Sequence, residues 1–211
     1  MPTVSERALR WGVKPLLFAA CLVPFVQLLI GAFSDDLGAN PVETVTHTTG
    51  DWALRLLLIT LAMTPLRRLL GQPWPIRLRR MLGLFVFFYA SLHLLTWAWL
   101  DQQWLLDEIL ADIAKRPYVT VGFAAWLLLL PLALTSNRWS MRRLGRQWSR
   151  LHRLVYLIAV LGLLHYLWLV KADLLQPLLY ALVFGVLMLF RLKRRRQNDG
   201  HSVASGVARR Q

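Results

Sequence analysis

Cysteine is nearly absent from this chain, since Cys21 is the single one among 211 residues and it lies in an apolar stretch. One cysteine excludes a disulfide framework and a metal site built from cysteine pairs. No C-x-x-C-H occurs, which excludes the usual covalent attachment of a c-type haem. None of the twelve glycines forms a G-x-G, so the fingerprint of a dinucleotide-binding domain is missing. The chain is therefore not predicted to bind a nicotinamide nucleotide itself.

Acidic residues are also few, 11 against 25 Lys and Arg, and the formal net charge is +14. A strongly basic chain is often a nucleic-acid-binding protein. Here, however, the basic residues stand between apolar stretches of about twenty residues, the length that crosses a membrane. Because 56% of the residues are hydrophobic, the composition is that of a multi-span membrane protein. Membrane topology explains the charge, and no nucleic-acid partner is predicted.

Six apolar stretches predict an all-α membrane bundle of six transmembrane helices. They cover residues 15–33, 52–65, 81–100, 118–134, 151–170 and 174–190. Residues 34–51 are predicted to be an outer loop, and the second helix is predicted to end at about Pro65 or slightly beyond, closed by Pro65 with Arg67 and Arg68. The first stretch is predicted to be an uncleaved helix, because it is longer than a signal-peptide core and no A-x-A-like site follows it. We predict no internal repeat.

The distribution of Lys and Arg predicts the orientation. The segment 1–14, the loops 67–80 and 138–150 and the tail through Arg196 hold 3, 5, 5 and 5 basic residues, whereas the other three connections hold 0, 2 and 1. Both termini are therefore predicted to be cytoplasmic, with the six-helix domain at 15–190. The basic tail 191–211 is predicted to end in disordered residues. The spacing of apolar residues in the fourth connection predicts a short amphipathic helix on the outer surface.

Two of the predicted helices carry a histidine near the same level, His93 in the third and His165 in the fifth. Ionisable side chains are costly inside a membrane and are usually functional. At ~1.5 Å per residue, both imidazoles lie in the outer half of the bilayer on helices of the same direction. This predicts a haem held between two histidine ligands, which transfers electrons. Gly162 and Ala90, one turn below, leave room for a flat ring. The alternative is a pair of buried, hydrogen-bonded histidines.

Two other polar side chains have more than one interpretation. His152, at the cytoplasmic edge, either ligates a second haem, contacts a flavin, or faces solvent and lipid head groups. Arg55, inside the second helix, either extends to the interface or holds a haem propionate. Around His152 the sequence groups an indole with guanidiniums, which suit a flavin ring and its phosphate. These residues are Trp148, Arg79, Arg80, Arg146, Arg150 and Arg153.

The motifs THTTGDWAL, TPLRR, RRMLGL, SLHLL, RPYVTVG, LTSN, WSRLHRLVY and LHYLW follow one another between residues 39 and 170. In these motifs the chain resembles the ferric-reductase-like transmembrane family, and within it the MsrQ haem-binding subunits. The resemblance implies a b-type haem, an associated FMN and a place in the bacterial inner membrane. It also implies that electrons pass to a periplasmic molybdopterin-dependent methionine sulfoxide reductase, which repairs oxidised proteins. The chain itself is then an electron-transfer subunit.

The sequence departs from the wider family in one respect. Members of that family hold two stacked haems with two histidines on each of two helices, whereas here the third helix has only His93. Arg79 and Arg80 stand where its second histidine would be. We therefore predict one haem, reduced by a cytoplasmic flavin reductase or by quinol. A quinol-oxidising cytochrome b subunit and a transporter or structural bundle without a cofactor are the competing interpretations.

Overall fold

The computed structural model describes the backbone of residues 5–170 and 174–208 and the side chains of this part through Arg191. Within these residues every regular element is a helix and no strand occurs. The all-α prediction is confirmed. The link with Lys171 and Asp173, which the sequence places after the fifth helix, lies outside the described residues.

The helices are numbered here in chain order. They are α1 (Lys14–Phe33), α2 (Pro41–Leu70), α3 (Trp74–Thr96), α4 (Leu106–Lys115), α5 (Pro117–Leu134), α6 (Arg138–Leu144), α7 (Arg146–Leu151), α8 (Leu154–Leu169) and α9 (Leu175–Ala208). Short helical turns at Glu6–Ala8 and Leu9–Val13 lead into α1, and a π-helical turn at Trp97–Asp101 extends α3. The predicted amphipathic surface helix is α4. The tail prediction stays a prediction, although α9 continues to Ala208.

Four helical segments in the described part are long and apolar enough to cross a membrane: Glu6–Phe33, Trp74–Asp101, Pro117–Leu134 and Arg146–Leu169. They match the first, third, fourth and fifth predicted spans, so the chain is a membrane protein. The sixth prediction corresponds to the shorter apolar stretch Leu175–Arg191 of α9. The second corresponds to α2, which at 30 residues is ~45 Å long but is interrupted by charged side chains.

The predicted loop 34–51 is wrong from Pro41 onward, because these residues belong to α2. The predicted end, at about Pro65 or slightly beyond, falls a few residues before the observed one. The helix begins at Pro41, where the Asn40 side chain accepts a hydrogen bond from the Glu43 N–H at 3.3 Å. It continues through Pro65 to Leu70. An Asn cap followed by Pro and Glu is a helix-start signal, but the polar turns after it carry no apolar periodicity. The earlier start is important because these polar turns contact His93.

The helices α2 with α3, and α5 with α8, form the two largest helix–helix interfaces. Helix α1 packs on α2 and α3, and α9 packs on α2 and α8. The core between them is aliphatic and aromatic, with Leu61 and Tyr89 fully buried. The outward faces are rich in exposed apolar side chains, as expected of a surface that contacts lipid.

Prolines inside two helices leave backbone groups that side chains of other helices satisfy. In α1, Pro24 disturbs the hydrogen-bond ladder, and the buried Tyr89 hydroxyl enters it. That hydroxyl accepts from the Phe25 N–H at 3.2 Å and donates to the Cys21 carbonyl at 2.7 Å. The Tyr89 hydroxyl thereby fixes α3 to α1 beside Pro24.

In α2, Pro65 has no N–H to donate to the Leu61 carbonyl four residues before it. The Arg191 Nη2 of α9 donates to this carbonyl instead, at 2.7 Å. A backbone carbonyl without a partner is expensive in a lipid environment. The arginine that ends the apolar part of α9 therefore fixes this helix to α2.

Replacing Tyr89 by Phe should lower the thermal stability of the purified protein. The change leaves the Phe25 N–H and the Cys21 carbonyl without their buried partner, which costs about 1–3 kcal/mol. Tyr118→Phe is the matched control, because its hydroxyl bonds the exposed Arg116, and we expect a change within about 0.5 kcal/mol. Equal unfolding midpoints for the two variants would contradict the assigned role of Tyr89.

Candidate functional site

The structure brings His93 of α3 and His165 of α8 together. The centroids of the two imidazole rings are 6.0 Å apart and the ring planes cross at 79°. Both residues lie toward the ends of their helices that the sequence places on the outer side. Their predicted common level thus corresponds to a direct approach of the two rings.

A backbone carbonyl of a neighbouring helix fixes each imidazole. The His93 Nδ1 lies 2.8 Å from the Thr46 carbonyl of α2, and the His165 Nδ1 lies 2.7 Å from the Tyr118 carbonyl of α5. Because a carbonyl only accepts, each Nδ1 carries the proton and donates it. A neutral imidazole has one N–H, so each Nε2 keeps its lone pair. Metal-ligating histidines almost always donate their other ring N–H to a backbone carbonyl, a carboxylate or water, as these two do to carbonyls.

A glycine stands four residues after each of these carbonyls, on the same helix face. A Cβ at Gly50 would lie 3.0 Å from the His93 Nδ1, and a Cβ at Gly122 would lie 2.7 Å from the His165 Nδ1. Any larger residue would force the imidazole away from the carbonyl. The two glycines therefore permit the close approach of ring and backbone.

The two halves of the site form an internal repeat that the sequence analysis did not predict. A T-x-G occurs at 48–50 and again at 120–122, and each precedes its histidine by the same interval. The carbonyl and histidine of each hydrogen-bonded pair are 47 residues apart in both halves. His93 and His165 are thus equivalent positions, 72 residues apart. The signal in the sequence is this spacing, since few other residues match.

A cavity of about 690 Å³ lies between α2, α3, α5 and α8, within the size range of cofactor sites. Both histidines and both packing glycines line it, and so do Gly162 and Ala90. A Cβ at Gly162 would meet only Leu54, at 3.8 Å, which leaves this wall open. The deep end is apolar. It is lined by Leu57, Val86, Leu129 and Ile158.

These features fit a haem with two histidine ligands. A metal–imidazole bond is about 2 Å long, and two such bonds in line plus the two ring radii come to roughly 6 Å. The separation of 6.0 Å between the ring centroids agrees with this length. The two available lone pairs and the apolar deep end of the cavity therefore suit an iron porphyrin.

Arg116, which the sequence analysis did not select, is the cation at the cavity mouth. Its Nε pairs with the Asp112 Oδ1 at 2.8 Å, and its Nη1 donates to the Tyr118 hydroxyl at 3.3 Å. The hydrogen bond to Tyr118 and the field of Asp112 raise the pKa of Arg116, so it is a fixed positive charge. A cation at the mouth of an apolar cavity suits the carboxylates of a haem.

Arg55, which the sequence offered for that role, is not among the residues that line the cavity. Its Nη2 pairs with Asp51 at 3.0 Å and its Nε donates to the Tyr180 hydroxyl at 2.7 Å. Its guanidinium also lies 5.3 Å from the centre of the Trp52 ring. Arg55 thus joins α2 to α9.

His152 lies apart from the cavity, at the other end of the bundle. Its ring stacks on Trp148 with centroids 3.9 Å apart, and its Nε2 lies 3.1 Å from the Thr135 hydroxyl. The Trp148 Nε1 donates to the Thr135 carbonyl at 3.0 Å. Within the described residues no group of three His, Cys, Asp or Glu is suited to hold a metal ion.

The arginines grouped with His152 in the sequence come from three parts of the structure. Arg146 and Arg150 belong to α7, Arg153 precedes α8, and all three are exposed. Arg80 is exposed on α3, 72 residues before His152, so a guanidinium occupies the repeat position of that histidine. Arg79 is half-buried, and its Nε has no hydrogen-bond partner in the described part of the chain.

The part of the chain that forms the site resembles known proteins. The family model described as ferric reductase like transmembrane component matches residues 49–163, which include His93, Gly50 and Gly122 and end two residues before His165. No solved structure has a significant match.

Three curated relatives carry the name protein-methionine-sulfoxide reductase heme-binding subunit MsrQ. The protein of Herminiimonas arsenicoxydans is 52% identical over 183 residues, 85% of this chain and 84% of its own. That of Xanthomonas campestris pv. campestris is 57% identical over 191 residues, 87% of each chain. That of Bordetella pertussis is 52% identical over 195 residues, 91% of this chain and 95% of its own.

Proposed function

We propose that this chain, which belongs to the MsrQ family of ferric-reductase-like transmembrane proteins, binds one b-type haem between His93 and His165 and transfers electrons. The observation that carries the proposal is the state of the two imidazoles. Each donates its Nδ1 proton to a carbonyl and leaves its Nε2 lone pair for iron. A haem with both axial positions filled moves electrons and does not bind oxygen.

In this proposal the chain's residues orient the ligands and exclude water. The carbonyls of Thr46 and Tyr118 prevent rotation of the rings, and Gly50 and Gly122 let those carbonyls come close. The apolar deep end of the cavity keeps water from the ring, while Arg116 neutralises carboxylates at its mouth.

The proposed topology has six membrane helices, with α2 and the apolar part of α9 added to the four segments already described. Both termini then lie in the cytoplasm of a bacterial cell, and α4 lies on the periplasmic side. The charge distribution of the connections supports this orientation. The pair Asp51–Arg55 lowers the cost of carrying a charge in α2.

The proposed electron path runs from the cytoplasm to the periplasm. The donor is a flavin reductase that acts through FMN, or quinol, and the acceptor is a periplasmic molybdopterin-dependent methionine sulfoxide reductase. The resemblance and the names of the relatives support this path. The exposed Arg146, Arg150 and Arg153, beside Trp148 and His152, are the proposed contacts of the flavin.

The absorption spectrum of the purified chain tests the proposal. We expect a six-coordinate, low-spin b-haem spectrum and reduction by a flavin reductase supplied with FMN and NADH. NADH alone should not reduce the haem, because the sequence has no dinucleotide fingerprint. Protein that is colourless after expression with excess haem would contradict the proposal. Reduction by menaquinol and not by reduced flavin would favour the quinol-oxidising subunit instead.

Replacing His152 by Ala should keep the outer haem but slow its reduction by reduced FMN. The histidine stands ~20 Å along the helix from His165, and removing its ring also removes the stacking partner of Trp148. Stopped-flow kinetics in the haem band measure the rate, and the static spectrum measures the haem. Unchanged kinetics, with unchanged haem and flavin content, would show that His152 has a structural role only.

A further inference from the structure

The ends of α2, α3 and α9 that are proposed to be cytoplasmic bring three arginines together. The charges of Arg68 and Arg79 each act electrostatically on Arg191, so both lie near its guanidinium. Arg191 is anchored there by the Leu61 carbonyl and the Tyr156 hydroxyl. Three like charges repel one another, so their grouping calls for an anion.

The described part of the chain supplies no such anion. None of the three arginines takes part in an ion pair there, and the acidic side chain described at this end, Glu6, pairs with Arg77. The Nε of Arg79 and the Nε of Arg191 are buried without a hydrogen-bond partner. Buried donors normally have partners, so these two indicate a missing acceptor.

A hydroxyl of α2 points to the same conclusion. The Oγ1 of Thr64 is also buried without a partner among the described residues. Leu61, Thr64 and Arg68 are spaced three and four residues apart, so they share the helix face that Arg191 contacts. One hydroxyl and several guanidinium N–H groups can therefore donate to one multivalent acceptor.

The surroundings indicate the chemistry of this acceptor. Apolar side chains that precede Arg191 in α9 are exposed on the side of the helix away from the buried Leu187, with Val186 at 42%, Leu189 at 60% and Phe190 at 51%. A ligand with an anionic head and long apolar tails matches this combination. We propose that Arg68, Arg79 and Arg191 bind the phosphate of an anionic phospholipid of the cytoplasmic leaflet, with its acyl chains along α9. Basic pockets between membrane helices on this side are known to suit such head groups.

A flavin phosphate would satisfy the same donors, but the ring groups nearby are already paired. Trp148 stacks on His152, and the Trp148 Nε1 and the His152 Nε2 bond Thr135. Those rings thus have partners within the protein, whereas the Nε atoms of Arg79 and Arg191 have none in the described part of the chain. The lipid is therefore the better match for the arginine cluster.

Native mass spectrometry of the full-length protein tests the site without reference to haem. The protein is released from nanodiscs that contain equal amounts of phosphatidylglycerol and phosphatidylcholine, and the retained lipid is counted. The variant is Arg68→Gln with Arg79→Gln, which leaves the bond from Arg191 to Leu61 in place. The control is Arg142→Gln with Arg143→Gln, which removes the same charge from exposed residues of α6. Thermal unfolding and the haem spectrum verify that both variants are folded.

We expect the wild type and the control to retain phosphatidylglycerol selectively. The site variant should lose roughly 30-fold in selectivity, the effect of two arginines near an anionic head group. An equal loss in the control would mean that surface charge alone attracts the lipid, and would overturn the site. Displacement of the lipid by FMN but not by riboflavin would assign the cluster to the flavin phosphate and overturn the lipid assignment. Because bound lipid is counted directly, either failure leaves the haem proposal untouched.

Discussion

Alanine in place of His93 or His165 should remove the haem band from the purified protein. Each histidine is the proposed source of one iron ligand, and the two rings lie 6.0 Å apart where both line the cavity. Loss of partners behind a ligand already costs 10–100-fold in metal affinity, so we expect loss of the ligand itself to cost more than about 100-fold. The haem-to-protein ratio measures the effect.

His47→Ala is the matched control, because this histidine lies exposed at the cavity mouth. It should keep the wild-type ratio and spectrum. Unfolding midpoints and the yield in the membrane fraction separate loss of haem from loss of fold. If both ligand variants retained a full, unaltered low-spin spectrum, the assignment of the ligands would be wrong.

Alanine in place of Gly122 should weaken haem binding with no change in any ligand. Its Cβ would lie 2.7 Å from the His165 Nδ1, so the ring must turn away from the Tyr118 carbonyl. Losing a second-shell hydrogen bond of this kind costs about 10–100-fold in affinity. The low-spin electron paramagnetic resonance signal should shift as well, because it reports the orientation of the imidazoles.

Gly50→Ala should have a smaller effect in the same direction, since its Cβ would lie at 3.0 Å from His93. Gly83→Ala is the control, on the same helix as His93 but with open space around the added carbon. Alanine is a better helix former than glycine by about 1 kcal/mol, so this control should bind haem normally and be no less stable. An effect of Gly122→Ala no larger than that of Gly83→Ala would contradict the positioning role.

The common level of His93 and His165 can be predicted from the sequence, because the depth of each residue in the membrane can be estimated. Helical rise and the direction of each span give the depth of a residue, and two histidines at equal depth can face each other across the bundle. The charge of the loops, which gives that direction, depends on composition and not on packing. These features can therefore be predicted from the sequence alone.

The groups that hydrogen-bond the histidines could not be predicted in this way. The carbonyls of Thr46 and Tyr118 carry no side-chain signature, and the first turns of α2 lack the apolar periodicity by which a membrane helix is identified. The role of Arg116 depends on its connection lying beside the cavity. The role of Arg191 depends on the Leu61 carbonyl, which Pro65 leaves without a backbone donor. Contacts between residues that are far apart in the sequence determine all of these roles.

The proline gaps also set an order for the synthesis of the chain. As the protein emerges N-terminus first, the bend of α1 has no side-chain partner until α3 supplies Tyr89. The Leu61 carbonyl of α2 is without its donor for longer, because this donor is Arg191, at the end of the apolar part of α9. Until then water or lipid head groups must satisfy it. If synthesis stops before α9, the Leu61 carbonyl of α2 therefore stays without its arginine donor. A helix made late supplies the hydrogen bond that a helix made early lacks.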